Sequence, residues 1–206
     1  FGIPPAPPAL VSNHSSLLCA GAGVRARARA VGLALTATYE HDVLGRLVRI
    51  SDGESWQTFV YRDGLNPVAW HDHRCTGSAP RSCTDRDVFF GYAASARTPE
   101  VMWLVAGGAV VSSYRLLGDE RGSVRLVVDV APGAILQPTD YTAFGYPTHT
   151  PAGSAALQPF GFIGGLWLRN PALWQLGARA LDPVLGRWTT KDPILHAGGL
   201  NLYAYC

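Results

Sequence analysis

One short phrase recurs along this chain and limits what it can fold into. A β-rich strand bearing a tyrosine is followed by an aspartate, two residues, a glycine and a second strand. Its clearest copy is Tyr39-Glu40-His41-Asp42-Val43-Leu44-Gly45, continuing into Arg46-Leu47-Val48-Arg49-Ile50. Asp at the first turn position with Gly three residues on signals a type I turn in which Gly takes positive φ. Between two strands this gives a hairpin with a glycine bulge. Phe59-Val60-Tyr61, then Asp63-Gly64-Leu65-Asn66, then Pro67-Val68-Ala69-Trp70 repeats it, with Tyr39 and Tyr61 22 residues apart. Further on, Val124–Val130 meets the turn Ala131-Pro132-Gly133, and Asp140-Tyr141-Thr142-Ala143-Phe144-Gly145 carries Tyr and Gly round another turn. A hairpin repeated about every twenty residues implies an array in which each unit buries its face on its neighbours. The expected fold class is mostly β: antiparallel hairpins in a curved sheet, with little helix.

Composition agrees. With 48% hydrophobic and 16% charged residues among 206, the chain can bury a core, which excludes disorder as a whole. The 23 glycines and 15 prolines argue against a helical bundle. No apolar run reaches the roughly 18–20 residues of a membrane-spanning helix. A net charge of +2 points to neither nucleic acid nor an anionic membrane as partner. A chain opening at Phe1 and closing at Cys206 inside an aromatic run reads as a segment of a longer protein.

Three regions are expected: residues 1–35, rich in Pro, Ala and Arg and unassigned; the hairpin repeats at 36–112; and a terminal region at 113–206. In the first, Val24-Arg25-Ala26-Arg27-Ala28-Arg29-Ala30 reads as a strand with one charged face or as a loose basic arm. Within the repeats, residues 71–87 read as a polar loop insert holding Cys75 and Cys83. Two readings of that pair stand open: a disulfide, which suits an exported protein, and two free thiols. His71, Asp72 and His73 lie just upstream, but a Cys-x7-Cys spacing fits no standard zinc pattern, so the expected metal ligands are none. The chain has no Gly-x-Ser-x-Gly elbow and no phosphate loop, and no cofactor is expected. Asn13-His14-Ser15 fits a glycosylation sequon of the kind that arises by chance.

Several phrases resemble a known family. Tyr39-Glu40-His41-Asp42-Val43-Leu44-Gly45-Arg46-Leu47 resembles the tyrosine–aspartate repeat of RHS/YD-repeat proteins. Tyr114 to Leu126 resembles the start of that family's terminal core. Asp182-Pro183-Val184-Leu185-Gly186-Arg187-Trp188-Thr189-Thr190-Lys191-Asp192-Pro193-Ile194 is similar to the core's most specific motif, and Gly198-Gly199-Leu200-Asn201-Leu202-Tyr203-Ala204-Tyr205 continues it.

The resemblance implies a spiral β-sheet shell with a plug-like RHS core, housing or presenting a C-terminal passenger such as a toxin. It implies upstream YD repeats of the same larger protein as a second partner, and a bacterial protein that is secreted or on the cell surface. It also implies an alternative: a self-cleaving aspartyl protease core that releases the passenger. On that reading Arg179 falls on the family's arginine and Asp192 on the first catalytic aspartate, with the second aspartate and the scissile bond beyond Cys206. The family's rings around the arginine are replaced here by Leu176-Gly177-Ala178 and Ala180-Leu181, so thinner packing about Arg179 is expected. A single carboxylate cannot act as both general base and proton donor, so the chain as it stands is expected not to be an enzyme. A third alternative is a surface adhesion module whose exposed aromatics bind glycans.

Overall fold

The Asp–x–x–Gly phrase folds as read. In the structure, a computed structural model describing residues 24–29, 36–62, 64–77, 81–94, 96–149, 157–168, 172–192 and 200–205, Gly45 donates its N–H to the Asp42 carbonyl at 3.0 Å and adopts φ 76°. The Asp42 carboxylate fixes the turn. Its Oδ1 accepts from the N–H of Leu44 at 2.9 Å and of Arg46 at 3.0 Å, and its Oδ2 from Arg46 Nε at 2.6 Å. Asp119 repeats the arrangement: its Oδ1 accepts from Arg121 and Ser123, and its carbonyl accepts from Gly122. At the turn closed by Gly145, the Thr142 hydroxyl takes the carboxylate's place and accepts from Tyr146 N–H at 3.0 Å.

These turns join strands into one meander. A ten-stranded antiparallel sheet runs in chain order through β1 (Val24–Arg29), β2 (Thr36–His41), β3 (Leu47–Asp52), β4 (Ser55–Tyr61), β5 (Pro67–Thr76), β6 (Ser82–Gly91), β7 (Val101–Ala106), β8 (Ala109–Gly118), β9 (Val124–Asp129) and β10 (Ile135–Pro138). The expected bulge after Tyr39 is present, where register shifts between Glu40 and His41. A two-stranded hairpin follows, β11 (Asp140–Tyr141) with β12 (Pro147–His149). A four-stranded meander completes the described chain: β13 (Leu166–Leu168), β14 (Leu173–Leu176), β15 (Arg179–Asp182) and β16 (Arg187–Trp188).

Repeat tyrosines close the open ends of the hairpins. Tyr61, at the end of β4, donates its hydroxyl to the Leu47 carbonyl that opens β3, at 2.9 Å. Tyr92, just past β6, donates to Pro67 at the start of β5 at 2.7 Å. Tyr141, just past β10, donates to Val124 at the start of β9 at 2.8 Å. Burial pushes all three hydroxyls well above the ordinary tyrosine pKa, which keeps them neutral donors.

Strand alternation puts one face of the sheet inside. Leu47, Phe59, Trp70, Val88, Phe90, Met102, Leu116 and Val127 are buried in a single cluster that Phe160, Leu166 and Leu168 of the terminal region complete. Phe160 meets Phe90 edge-to-face at 4.9 Å. The terminal region thus packs on the sheet as a plug while keeping a core of its own, Phe162, Trp174 and Leu181. Gly161 is needed where these cores meet, since a Cβ there would lie 2.0 Å from the Trp174 ring. That ring cannot easily retreat, because its Nε1–H donates to the Gly145 carbonyl at 2.7 Å.

Two expectations are revised. The segment at 71–87 is not a loop insert: residues 71–76 belong to β5 and 82–87 to β6, whose register runs unbroken from Ala69↔Phe89 to Thr76↔Ser82. The break at 112/113 falls inside β8. β1 pairs along the whole of β2. Arg25, Arg27 and Arg29 therefore sit on a strand rather than a loose arm. The remainder of the leader, with Asn13, and the turn residue Asp63 lie outside the described residues.

Replacing Asp42 by Ala removes two turn hydrogen bonds and is expected to cost about 1 kcal/mol of stability. Desolvation, the largest influence on the Asp42 carboxyl, pushes its pKa up. The hydrogen bonds from Arg46 and Leu44 together outweigh that, so the pKa lies below its ordinary value. A lowered folded-state pKa means that the wild-type advantage is complete above about pH 4 and is lost as pH falls further. Urea melts of wild type and Asp42→Ala at pH 6 and pH 3 should therefore converge at the lower pH. An unchanged gap would remove the charge from this account.

Candidate functional site

Two clusters carry the chemistry read from the sequence. The first lies in the terminal meander. Arg179 opens β15, and its Nη1 donates to Asp192 Oδ2 at 2.7 Å, with both side chains mostly covered. The Trp188 ring lies under the guanidinium, 4.1 Å from Cζ to centroid. The rings missing from positions 176–181 are thus replaced by one from β16, and Arg179 is packed more firmly than the sequence implied. The backbone around Asp192 is held by the chain end: Asp192 N–H donates to the Leu202 carbonyl at 2.9 Å and Trp188 N–H to Tyr203 at 3.0 Å. Asp182 does different work. Its Oδ1 accepts from Val184 and Leu185 N–H, both at 2.9 Å, which makes it a turn former.

The second cluster is a ladder on β5 and β6. Register pairs His71 with Asp87, His73 with Asp85 and Cys75 with Cys83. These pairs are two residues apart and therefore share one face. His71 Nδ1 meets Asp87 Oδ1 at 2.6 Å, His73 Nδ1 meets Asp85 Oδ1 at 2.7 Å, and Cys75 and Cys83 are disulfide-linked with their Cα atoms 4.1 Å apart. Trp56 of β4 stacks on both imidazoles at 4.7 and 5.3 Å. The hydrogen bond from His73 chiefly holds the Asp85 carboxyl below its ordinary pKa, against a smaller upward push from desolvation and with help from the charges of both histidines. Asp72 points to the opposite face. It is 1% exposed and is held by Arg86 Nη2 at 2.5 Å and Arg74 Nη2 at 3.1 Å.

Residues 108–198, which include Arg179 and Asp192, match the Teneurin YD-shell family model. The solved TcdB2-TccC3 is 21% identical, with a TM-score of 0.64 over 89% of this chain. TcdB2-TccC3 without its hypervariable C-terminal region is 21% identical at 0.63 over 86% of the chain, and a Photorhabdus luminescens Tc holotoxin pore is 20% identical at 0.58 over 89%. The fold is that of an RHS/YD-repeat shell. The chain spans 9% of the length of each of those three structures. No curated protein sequence matches it.

The structure brings together both pairs singled out from the sequence, Arg179 with Asp192 and Cys75 with Cys83. Sequence reading missed Asp85, Asp87, Trp56 and Arg86. The signal was the alternation in His71-Asp72-His73-Arg74-Cys75 and Cys83-Thr84-Asp85-Arg86-Asp87, which places acids opposite histidines once the two stretches pair antiparallel.

A cross-link closing so short a loop should stabilise the chain by about 2–3 kcal/mol through the entropy of the unfolded state. The double replacement Cys75→Ser with Cys83→Ser should lower the urea midpoint accordingly under oxidising conditions. Wild type in excess reductant should match it. An oxidised wild type no more stable than the double variant would show that the bond does not form in solution.

Proposed function

We propose that this chain is a length of shell wall with its terminal core attached, from a larger secreted or surface protein, and that the complete shell houses or presents a C-terminal passenger. One observation carries the reading: a meander of ten strands, paired strictly in chain order, buries a single face against its own terminal region. Sheets of this kind lengthen by adding hairpins at the edge, and among the described residues β1 is the end strand on the N-terminal side, where upstream repeats would join. The likeness to TcdB2-TccC3, whose C-terminal region is described as hypervariable, supports a variable segment downstream. Among the described residues no helix is long and apolar enough to cross a membrane. In the longer protein the passenger should resist trypsin under conditions that digest it when expressed alone. Equal digestion in both settings would sink the housing role.

A second reading is favoured by the Arg179–Asp192 pair at 2.7 Å. In a chain extended downstream, Arg179 orients Asp192 and stabilises its charge. A second aspartate from the extension then supplies the proton that polarises the scissile carbonyl. The 206-residue chain should remain one band on prolonged incubation. The extended chain should split in two, and Asp192→Asn should stop the split. An extended wild type that stays whole removes the protease and leaves the wall.

A further inference from the structure

Three ligand atoms converge at the tip of the β5–β6 hairpin. His73 Nε2, Cys75 Sγ and Cys83 Sγ all lie within 4.8 Å of one another, with His73 Nε2 3.3 Å from Cys75 Sγ. The imidazole is already oriented for coordination. Its Nδ1 faces a carboxylate, which only accepts, so Nδ1 carries the proton and Nε2 keeps its lone pair in the neutral ring. A carboxylate behind the imidazole is the usual outer partner of a metal-bound histidine, and Asp85 stands there. Trp56 stacks on the ring and fixes its plane. Cys83 is exposed, so one side of the cluster is open to solvent.

We propose that the reduced hairpin tip binds a divalent ion of the Zn²⁺ type through Cys75, Cys83 and His73, and that the disulfide and the metal exclude each other. Two thiolates and one imidazole suit zinc, and an open fourth position takes water. Formation of the site is a balanced two-electron exchange. Two equivalents of a thiol reductant give up two electrons and two protons and leave as their disulfide, while the Cys75–Cys83 bond breaks to two thiols. On metal binding both thiols lose their protons to solvent and two S–metal bonds form, with the imidazole donating its lone pair. The sulfurs need to part only to the ~3.8 Å expected between thiolates on one tetrahedral ion, which side-chain rotation supplies without opening the ladder. Oxidation reverses the sequence and ejects the ion. The hairpin tip is thus cross-linked in both states, by sulfur or by metal.

Co²⁺ serves as a spectroscopic probe and Zn²⁺ as its competitor, in a chain carrying Cys19→Ser and Cys206→Ser so that no other thiol contributes. Reduced with a phosphine, this protein should take up one Co²⁺ with thiolate-to-cobalt charge-transfer absorption, which Zn²⁺ then abolishes. The oxidised protein should show no band. Asp85→Asn should keep the stoichiometry and weaken binding about 10- to 100-fold. No band in the reduced protein overturns the proposal, as does equal Co²⁺ uptake by the oxidised one. The comparison of the two redox states decides it without any variant of the ladder.

Discussion

The hairpin is the unit on which everything else rests, and side chains fix both its turns and its open ends. At the turn, an aspartate carboxylate holds two backbone N–H groups and so fixes a conformation only glycine completes without strain. Beside such a turn, at the open end of the next hairpin, a buried tyrosine hydroxyl returns to the carbonyl that opens that hairpin's first strand. Each bond is worth about 1 kcal/mol by itself. Their importance is to register: a one-residue slip would turn every core residue out to solvent. Trp70, Phe90 and Met102 face inward because the hairpins cannot slip.

Given a fixed register, the two faces of the sheet take up separate tasks. The inner face packs on Phe160, Leu166 and Leu168 and even holds one charge, Asp72, between two arginines. An acid that deep survives only when paired, and removing either arginine would leave it poorly compensated. The outer face of β5 and β6 carries the ladder of histidine, aspartate and cysteine. The same ten residues of β5 thus serve a packed interior and a reactive exterior.

Much of this was legible in the residues. Asp42 with Gly45 announced its turn, and the tyrosine spacing announced an array. The stretch at 71–87 reads as a loop because its polar residues hide the alternation: when both faces are polar, a hydrophobic period of two cannot be seen. The strand β1 stayed one of two readings for a related reason, since an Arg–Ala alternation fits an arm as well as a strand. The ring supporting Arg179 comes from Trp188, nine positions on, and only the pairing of β15 with β16 brings it there.

Chain-order pairing across all ten strands has a bearing on how such walls grow. Each strand waits only for the one before it, so contacts are local and loop-closure costs stay small. A nascent chain can lay down its wall from the N-terminal side as it emerges, without waiting for distant partners. Duplicating or deleting one hairpin in the gene leaves the remaining pairings intact. The circumference of a wall can thus drift over evolutionary time by whole hairpins, while the terminal plug stays fitted to the last few strands it touches.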